Sequence, residues 1–230
     1  MKKIVISTGA GMSAESGIKT FRDADGLWEN YPVMEVASHT GFLKNPELIH
    51  TFYNGLRKKL VEAKPNAAHY ALAELEKDFD VQIITQNVDD LHERAGSSKV
   101  LHLHGELMKM QSLKNENHVY TLSPDNLETS TATRDKYGDP VRPFIVFFEE
   151  AVPNFTPAMH LVQDADIFVV IGTSLVVYPA ASLINCTRPG TPIYYIDPKP
   201  AKISMPNLHV IAKPATQGVK ELVEILKQQL

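Results

Sequence analysis

The sequence predicts a doubly wound α/β domain, a mostly parallel sheet with helices on both faces, that carries a small second module. Two observations predict the sheet and a third predicts the module. Several apolar runs are continuous rather than alternating, as expected of strands buried on both faces. Between many of them lie stretches whose apolar residues recur at helical spacing. Residues 20–44 and 105–142 break this rhythm, and irregular stretches of that length inside a compact domain are usually functional or form a unit of their own.

Taken in order, KIVIST (3–8) is the first strand, and it ends at a Gly-rich turn, GAGMSAESG (9–17), that leads into a helix. Residues 20–44 are irregular, with Gly26, Pro32 and Gly41 among scattered aromatics. NPELIHTFYNGLRKKLVEA (45–63) is a helix. PNAAHYALAELEKDF (65–79) is another, started by Pro65-Asn66, with Ala68, Leu72, Leu75 and Phe79 at helical spacing. Strands follow at VQIITQ (81–86) and KVLHLH (99–104), separated by a helix through Leu91 and Ala95. Residues 105–142 are polar with weak β signals. FIVFF (144–148), DIFVVIG (166–172) and PIYYID (192–197) supply the remaining strands of the parallel sheet. GVKELVEILKQQL (218–230) closes the chain as a helix with Val219, Leu222, Val223 and Leu226 on one face. The pattern contains no internal repeat and no low-complexity tract.

Bulk properties exclude several function classes. The 230 residues carry a formal charge of −4, which favours neither nucleic acid nor an anionic membrane as a partner. Cys186 is the single cysteine, so an internal disulfide and a zinc site built from several thiolates are both excluded. The apolar run of MKKIVISTGAGMS is too short for a signal peptide. The longest one, DIFVVIGTSLVVYP, is broken by Gly172, Thr173 and Ser174 and is too short to span a bilayer. A soluble cytoplasmic protein is the expectation.

Four stretches carry chemistry. In the Gly-rich turn, Gly9, Gly11 and Ala14 follow the G-x-G-x-x-A spacing, which presents backbone N–H groups and a helix N-terminus to a phosphate; a tight turn with no ligand is the plainer alternative. After the strand at 81–86, Gln86, Asn87 and Asp89 cluster at the edge where open α/β sheets bind ligands, although helix capping alone accounts for one of them. Gly172, Thr173 and Ser174 sit at the same edge and suit ribose or phosphate. In VLHLHG (100–105), His102 and His104 point to one face of a strand. They can be a metal pair lacking its third ligand, a general base near its working pH, or structural residues.

Taken together and in this order, the motifs resemble the sirtuin family of NAD-dependent protein-lysine deacylases. GAGMSAESGIKTFR with DGLW, TQNVDDLHERAG, HGEL, RPFIVFFEE and IGTSLVVYPAA carry the resemblance, which covers nearly the whole chain. It implies a Rossmann-like NAD-binding domain (1–34, 66–104 and 143–230). It also implies a small domain made from a helical insertion (35–65) and a module (105–142), with NAD and an acyl-lysine of a protein substrate meeting between the two domains. The acyl group would pass to ribose as nicotinamide leaves, giving O-acyl-ADP-ribose and free lysine.

By resemblance, His104 is the general base that deprotonates a ribose hydroxyl, and Asn87 and Asp89 surround the nicotinamide ribose with Gln86 beside them. Gly9, Ala10 and Gly11 face the pyrophosphate. Phe21 and Arg22, with Trp28 of DGLW, belong to the cofactor-binding loop, where Phe21 shields the reactive ribose. Gly172, Thr173 and Ser174 contact the adenosine side, with Asp197 and Ala215 near the adenine end. Val146 and Phe148 line the acyl-lysine tunnel. His102 is left as structural.

The chain departs from the family pattern in several places. The resemblance implies NAD as co-substrate; residues 105–142 lack the usual zinc cysteines, with Ser112 where the first is expected, so no zinc is expected. Lys19 replaces a common proline, Glu149 a common glycine and Asp197 a common asparagine. Tyr53 matches the Tyr-x-x-Arg pair of sirtuins that prefer succinyl- or malonyl-lysine, but Leu56 holds the Arg position and the arginine comes one residue later, at Arg57. Arg57 shares a helix face with Tyr53, so it either reaches an acyl carboxylate or is a solvated surface arginine. Mono-ADP-ribosyl transfer and non-catalytic NAD or ADP-ribose binding are the competing readings. The sequence leaves the oligomeric state open.

Overall fold

The computed structural model describes residues 1–19 and 27–228. Strand β1 (Lys3–Thr8) lies inside a parallel six-stranded sheet, flanked by β4 (Asp80–Thr85) and β9 (Ile167–Ile171). Outside β4 lies β5 (Val100–His102); outside β9 lie β10 (Ile193–Ile196) and the edge strand β11 (Leu208–Ile211). Because side chains alternate across a strand, β1 buries Ile4 and Ile6 on one face and Val5 on the other. The first face packs on helices α4 (Ala67–Glu74) and α7 (Ala215–Lys227) through Leu72, Val219, Leu222 and Leu226. The second packs on α6 (Phe155–Gln163) and a 3-10 stretch, Ala180–Cys186.

A second assembly sits beside the carboxyl ends of these strands. Helices α1 (Val33–Val36), α2 (His39–Lys44) and α3 (Pro46–Glu62) follow a short two-stranded ribbon, β2 (Leu27–Trp28) and β3 (Tyr31–Pro32). Helix α3 starts with Pro46 in its first turn, a position with no N–H to lose, and with the Asn45 side chain accepting from Leu48 N–H. It buries Ile49, Phe52, Tyr53 and Leu60 against Leu107, Ile145 and Phe147. Leu107 lies on β6 (Gly105–Ser112) and Ile145 on β8 (Val141–Ile145); with β7 (Val119–Thr121) these form an antiparallel sheet in the order β7-β6-β8.

Several sequence expectations change. The apolar run at 144–148 is not a strand of the parallel sheet: its first residues end β8, whose partner is β6, and the alternating burial of Val141, Pro143 and Ile145 is that of a strand covered on one face. The Gly-rich turn leads not into a helix but into two 3-10 turns, Ala10–Met12 and Ala14–Ser16. The helix expected through Leu91 and Ala95 is the single turn α5 (Leu91–Arg94). Strand β11 went unread because Leu208–Ile211 is short and half exposed.

The loops of the antiparallel module close on Asp135. Its carboxylate accepts from the N–H groups of Tyr137 (2.8 Å) and Asp139 (2.9 Å) and from the Tyr120 hydroxyl (3.4 Å). The His118 ring stacks on Tyr137 with centroids 4.6 Å apart. Ser112 is buried, and its hydroxyl accepts from Lys114 N–H. These donors do not fit a thiolate-bound zinc, since the chain has one cysteine and it lies at Cys186, outside the module. Among the described residues, no three His, Cys, Asp or Glu side chains converge as a metal-binding group.

Candidate active site

The site forms where β1, β4 and β9 end. Gly9 N–H bonds Ile171 O and Gly11 N–H bonds Gly172 O, which draws two turns into direct backbone contact. A Cβ on Gly11 would lie 2.7 Å from Gly172 Cα, and one on Gly172 would lie 2.4 Å from Met12 N. Gly172 also holds φ +64°, the left-handed region that glycine enters without a steric cost. Side chains are thereby kept out of the contact between these turns, which leaves main chain at Gly9, Ala10 and Gly172 bordering the cavity. The N–H groups of Gly9, Gly11, Met12 and Ser13 are spent on bonds that hold the turns together.

Behind the turn lies a polar knot. The Asn87 carboxamide donates to Gly9 O (3.0 Å) and to Ser13 Oγ (3.1 Å), and Ser13 Oγ donates to Asp89 Oδ2 (2.8 Å). Asp89 Oδ1 accepts from Leu91 N–H (3.1 Å), so this carboxylate also starts α5. Burial pushes the Asp89 carboxyl above its usual range, against the pull of the bonds from Ser13 and Leu91. Asn66 fastens the same turn from α4, donating to Met12 O (2.9 Å) and Ser16 Oγ (3.1 Å). Glu15 accepts from both the N–H (2.9 Å) and the hydroxyl (2.7 Å) of Thr216, in the first turn of α7.

The two histidines have different surroundings. His104 Nδ1 lies 3.0 Å from Gln86 O, an acceptor, so Nδ1 carries the proton and Nε2 is left as the basic nitrogen. Burial lowers the His104 pKa, opposed by the Gln86 bond, which keeps the ring neutral at physiological pH. His102 Nδ1 lies 3.2 Å from Asn87 O and its Nε2 2.8 Å from Glu93 Oε1.

His104 opens onto a cavity of about 380 Å³. One end is bounded by Gly9, Ala10, Gly172, Thr173 and Ser174, and the middle by Gln86, Asn87, Asp89 and His104. The other end is a mainly apolar chamber of Trp28, Tyr53, Leu56, Leu107, Ile145 and Phe147, with the Lys59–Glu29 ion pair also on the lining. Trp28 stands edge-on to Phe52 (5.1 Å) and Tyr53 (6.1 Å). Val146, Phe148 and Glu149 border the cavity on one side and Val176 and Tyr178 on another.

Other sequence-predicted residues fall outside this lining. Gly11 lies behind it, bonded to Gly172. Asp197 is buried just past β10, with Oδ1 accepting from Lys199 N–H, and Ala215 is buried as the first residue of α7. Arg57 is neither at the cavity nor on the surface. It is fully buried and donates to Leu107 O (2.9 Å), Asn54 Oδ1 (2.7 Å), Leu127 O (3.2 Å) and Thr129 Oγ1 (3.1 Å). At the i+4 position of α3 it faces β6 and the 127–129 loop, whereas Leu56 at i+3 faces the chamber. Phe21 and Arg22 lie outside the described residues. Sequence reading passed over Ser13, Glu15 and Asn66, although the first two lie inside the Gly-rich motif; their partners are 76, 201 and about 50 residues away along the chain.

Residues 9–179 match the model of the Sir2 family. A protein of Bacteroides thetaiotaomicron named NAD-dependent protein deacylase is 52% identical over 230 residues, covering 98% of each chain. One of the same name from Helicobacter pylori is 54% identical over 224 residues, covering 97% of this chain and 96% of its own. Among solved structures, a mutant Sir2 homologue bound to ADP-ribose superposes with a TM-score of 0.89 at 39% identity, covering 99% of this chain and 93% of that one. A Sir2 homologue–NAD complex gives 0.87 at 39% identity, covering 99% and 90%.

Proposed function

This chain belongs to the Sir2 family, and we propose that it is an NAD-dependent protein deacylase that removes acyl groups from lysine side chains of proteins. The observation that carries the reading is His104, with Nδ1 held by Gln86 O and Nε2 left basic, on the same cavity as the Ser13–Asn87–Asp89 knot and the Gly9–Gly172 approach.

NAD, when bound, supplies the ADP-ribose that takes the acyl group as nicotinamide leaves. Gly9, Ala10, Gly172, Thr173 and Ser174 would hold its phosphates and adenosine side, and Asn87 and Asp89 its second ribose. His104 Nε2 accepts a ribose hydroxyl proton, while the Gln86 bond fixes the tautomer that can do so. The apolar chamber receives the acyl end of the lysine and keeps water from it. Val146 and Phe148 border the approach, and the Glu149 carboxylate, held by Thr40 N–H (2.8 Å), lies beside it.

The chamber suits short uncharged acyl groups. Leu56 lines it, the Arg57 guanidinium is engaged elsewhere, and the Lys59 ammonium that also borders the cavity is paired with Glu29 (2.5 Å), so acetyl-lysine is the preferred substrate over succinyl- or malonyl-lysine. The module is proposed to hold without zinc, through the contacts around Asp135; metal analysis of the purified protein should find no stoichiometric zinc. The deciding experiment measures nicotinamide release from NAD with an acetyl-lysine peptide. The wild type should turn over, and His104→Ala should lose turnover while still binding NAD. Full turnover by that variant would overturn the assignment of the base.

A further inference from the structure

We infer that His102 is a positioning residue for this reaction: a doubly protonated imidazole that, closed off by Glu93, clamps the peptide of Asn87 and so aims the Asn87 carboxamide. The inference rests on the deacylase reading for its catalytic consequence and on geometry for the clamp itself.

Both ring nitrogens of His102 face groups that only accept. Nδ1 meets the carbonyl of Asn87 at 3.2 Å and Nε2 meets the carboxylate of Glu93 at 2.8 Å. A neutral imidazole carries one N–H and can satisfy one of them; the imidazolium satisfies both. His104, two residues on, has one such acceptor and needs one proton. The end of β5 and the bend that follows it, Leu103-His104, thus send two histidines to two consecutive carbonyls, Asn87 O and Gln86 O, with opposite protonation demands. The pair grips the segment between β4 and α5 by its main chain.

The side chain of Asn87 is fixed by the same segment. With its carbonyl held by His102 and its N–H donating to Thr85 Oγ1 (3.0 Å), the carboxamide points at Gly9 O and Ser13 Oγ. The His102 backbone is itself anchored, its carbonyl accepting from Asn154 Nδ2 at 2.7 Å.

The charged and titratable surroundings favour the imidazolium. From α5 come Glu93 and the neutral ring of His92; from the segment after β4 comes Asp89; from β6 comes Glu106, paired with Lys109 at 2.7 Å. Burial works against the charge, but the bond and charge of Glu93, then Glu106 and the Asn87 carbonyl, outweigh it and raise the His102 pKa above its ordinary value of 6.5. A raised value means that the clamp persists to higher pH than an ordinary histidine would allow and is lost as pH rises through that value.

The test combines a direct and a kinetic measurement. With 15N-labelled histidine, and His102→Gln to assign the signals, both His102 nitrogens should be protonated at pH 7.5; one bare nitrogen there overturns the clamp. In nicotinamide release from NAD and acetyl-lysine peptide, followed from pH 6 to 10, the wild type should show an alkaline limb. His102→Gln should lose that limb and about tenfold in kcat/KM for NAD, a part of the roughly hundredfold that a 1 Å misplacement of bound substrate can cost. Glu93→Gln should shift the limb to lower pH.

An alkaline limb unchanged in both variants overturns the inference. Should His102→Gln fail to unfold cooperatively, Glu93→Gln decides, because the Glu93 side chain is 40% exposed and its removal leaves the core intact. An inactive wild type with a doubly protonated His102 would sink the deacylase reading and leave the clamp standing; an active one with a singly protonated His102 would sink the clamp alone.

Discussion

Ser13 and Asp89, 76 residues apart, are joined by a buried hydrogen bond of 2.8 Å in which the serine hydroxyl donates to the carboxylate. The same oxygen accepts from Asn87, so one hydroxyl satisfies the acid and the amide at once. Ser13→Ala leaves the Asp89 carboxylate short of a donor in a site where burial already raises its pKa. Losing one partner of a buried charged group costs about 1–3 kcal/mol. Because the ionised form is the penalised one, the loss should be larger at pH 7 than at pH 4.5. Urea unfolding at the two pH values checks this, and an equal loss at both would refute it.

Gly172→Ala should be far more damaging than its size suggests. The new Cβ would sit 2.4 Å from Met12 N at a φ of +64°, so the turn must move away from the Gly-rich loop. Strain of this kind together with overpacking costs about 2–4 kcal/mol. Calorimetry should show a lower Tm, and titration with NAD should show lost binding rather than a slower chemical step.

Arg57 and Leu56 separate stability from acyl choice. Arg57→Met removes donors to Leu107 O and Leu127 O and should lower stability by about 3 kcal/mol, with little change in the ratio of acetyl- to succinyl-lysine turnover. Leu56→Arg places a cation on the chamber wall beside Tyr53 and should raise succinyl-lysine turnover relative to acetyl-lysine. The two ratios, measured with matched peptides, decide it; a large change in the ratio for Arg57→Met would return that residue to the substrate.

The fold should weaken at mildly acidic pH. Burial pulls the His69 pKa from 6.5 to about 4, against the charge of Glu93, and puts His92 well below its usual range, with His69 and His102 adding to the effect. The unfolded chain takes up protons near pH 6.5 that the native rings refuse, so stability falls as pH drops from there toward about 4. His69 alone contributes roughly 3 kcal/mol to that fall by linkage. Unfolding free energies between pH 7 and 4.5 should show the slope, and His69→Gln should flatten it.

Sequence patterns reached the parallel sheet because fully buried strands advertise themselves as unbroken apolar runs, as in Ile167–Ile171, where every residue is buried. They misplaced 144–148 for the same reason: an apolar run is silent about which sheet receives it, and only its pairing with Gly105–Ser112 decides. At the site, Asn87, Asp89 and His104 stood out as polar groups at strand ends. Spacing alone makes His102 and His104 equivalent, and the flanking motifs single out His104 as the base; the contact that His102 makes with Asn87 O and Glu93 was not legible, because those groups meet it only in three dimensions. Arg57 misled because helix periodicity puts positions 56 and 57 on one broad face, and the 127–129 loop divides that face.

The bond from Glu15 to Thr216 spans 201 residues, and β1 cannot be enclosed until β9 exists. On the ribosome, where synthesis proceeds at about 5–20 residues per second, the Gly-rich loop therefore waits some tens of seconds for the segment that braces it. An apolar first strand that can pair with β4 but must wait for β9 on its other edge is exposed to aggregation over much of that interval, which makes this chain a candidate client for chaperones that guard nascent polypeptides.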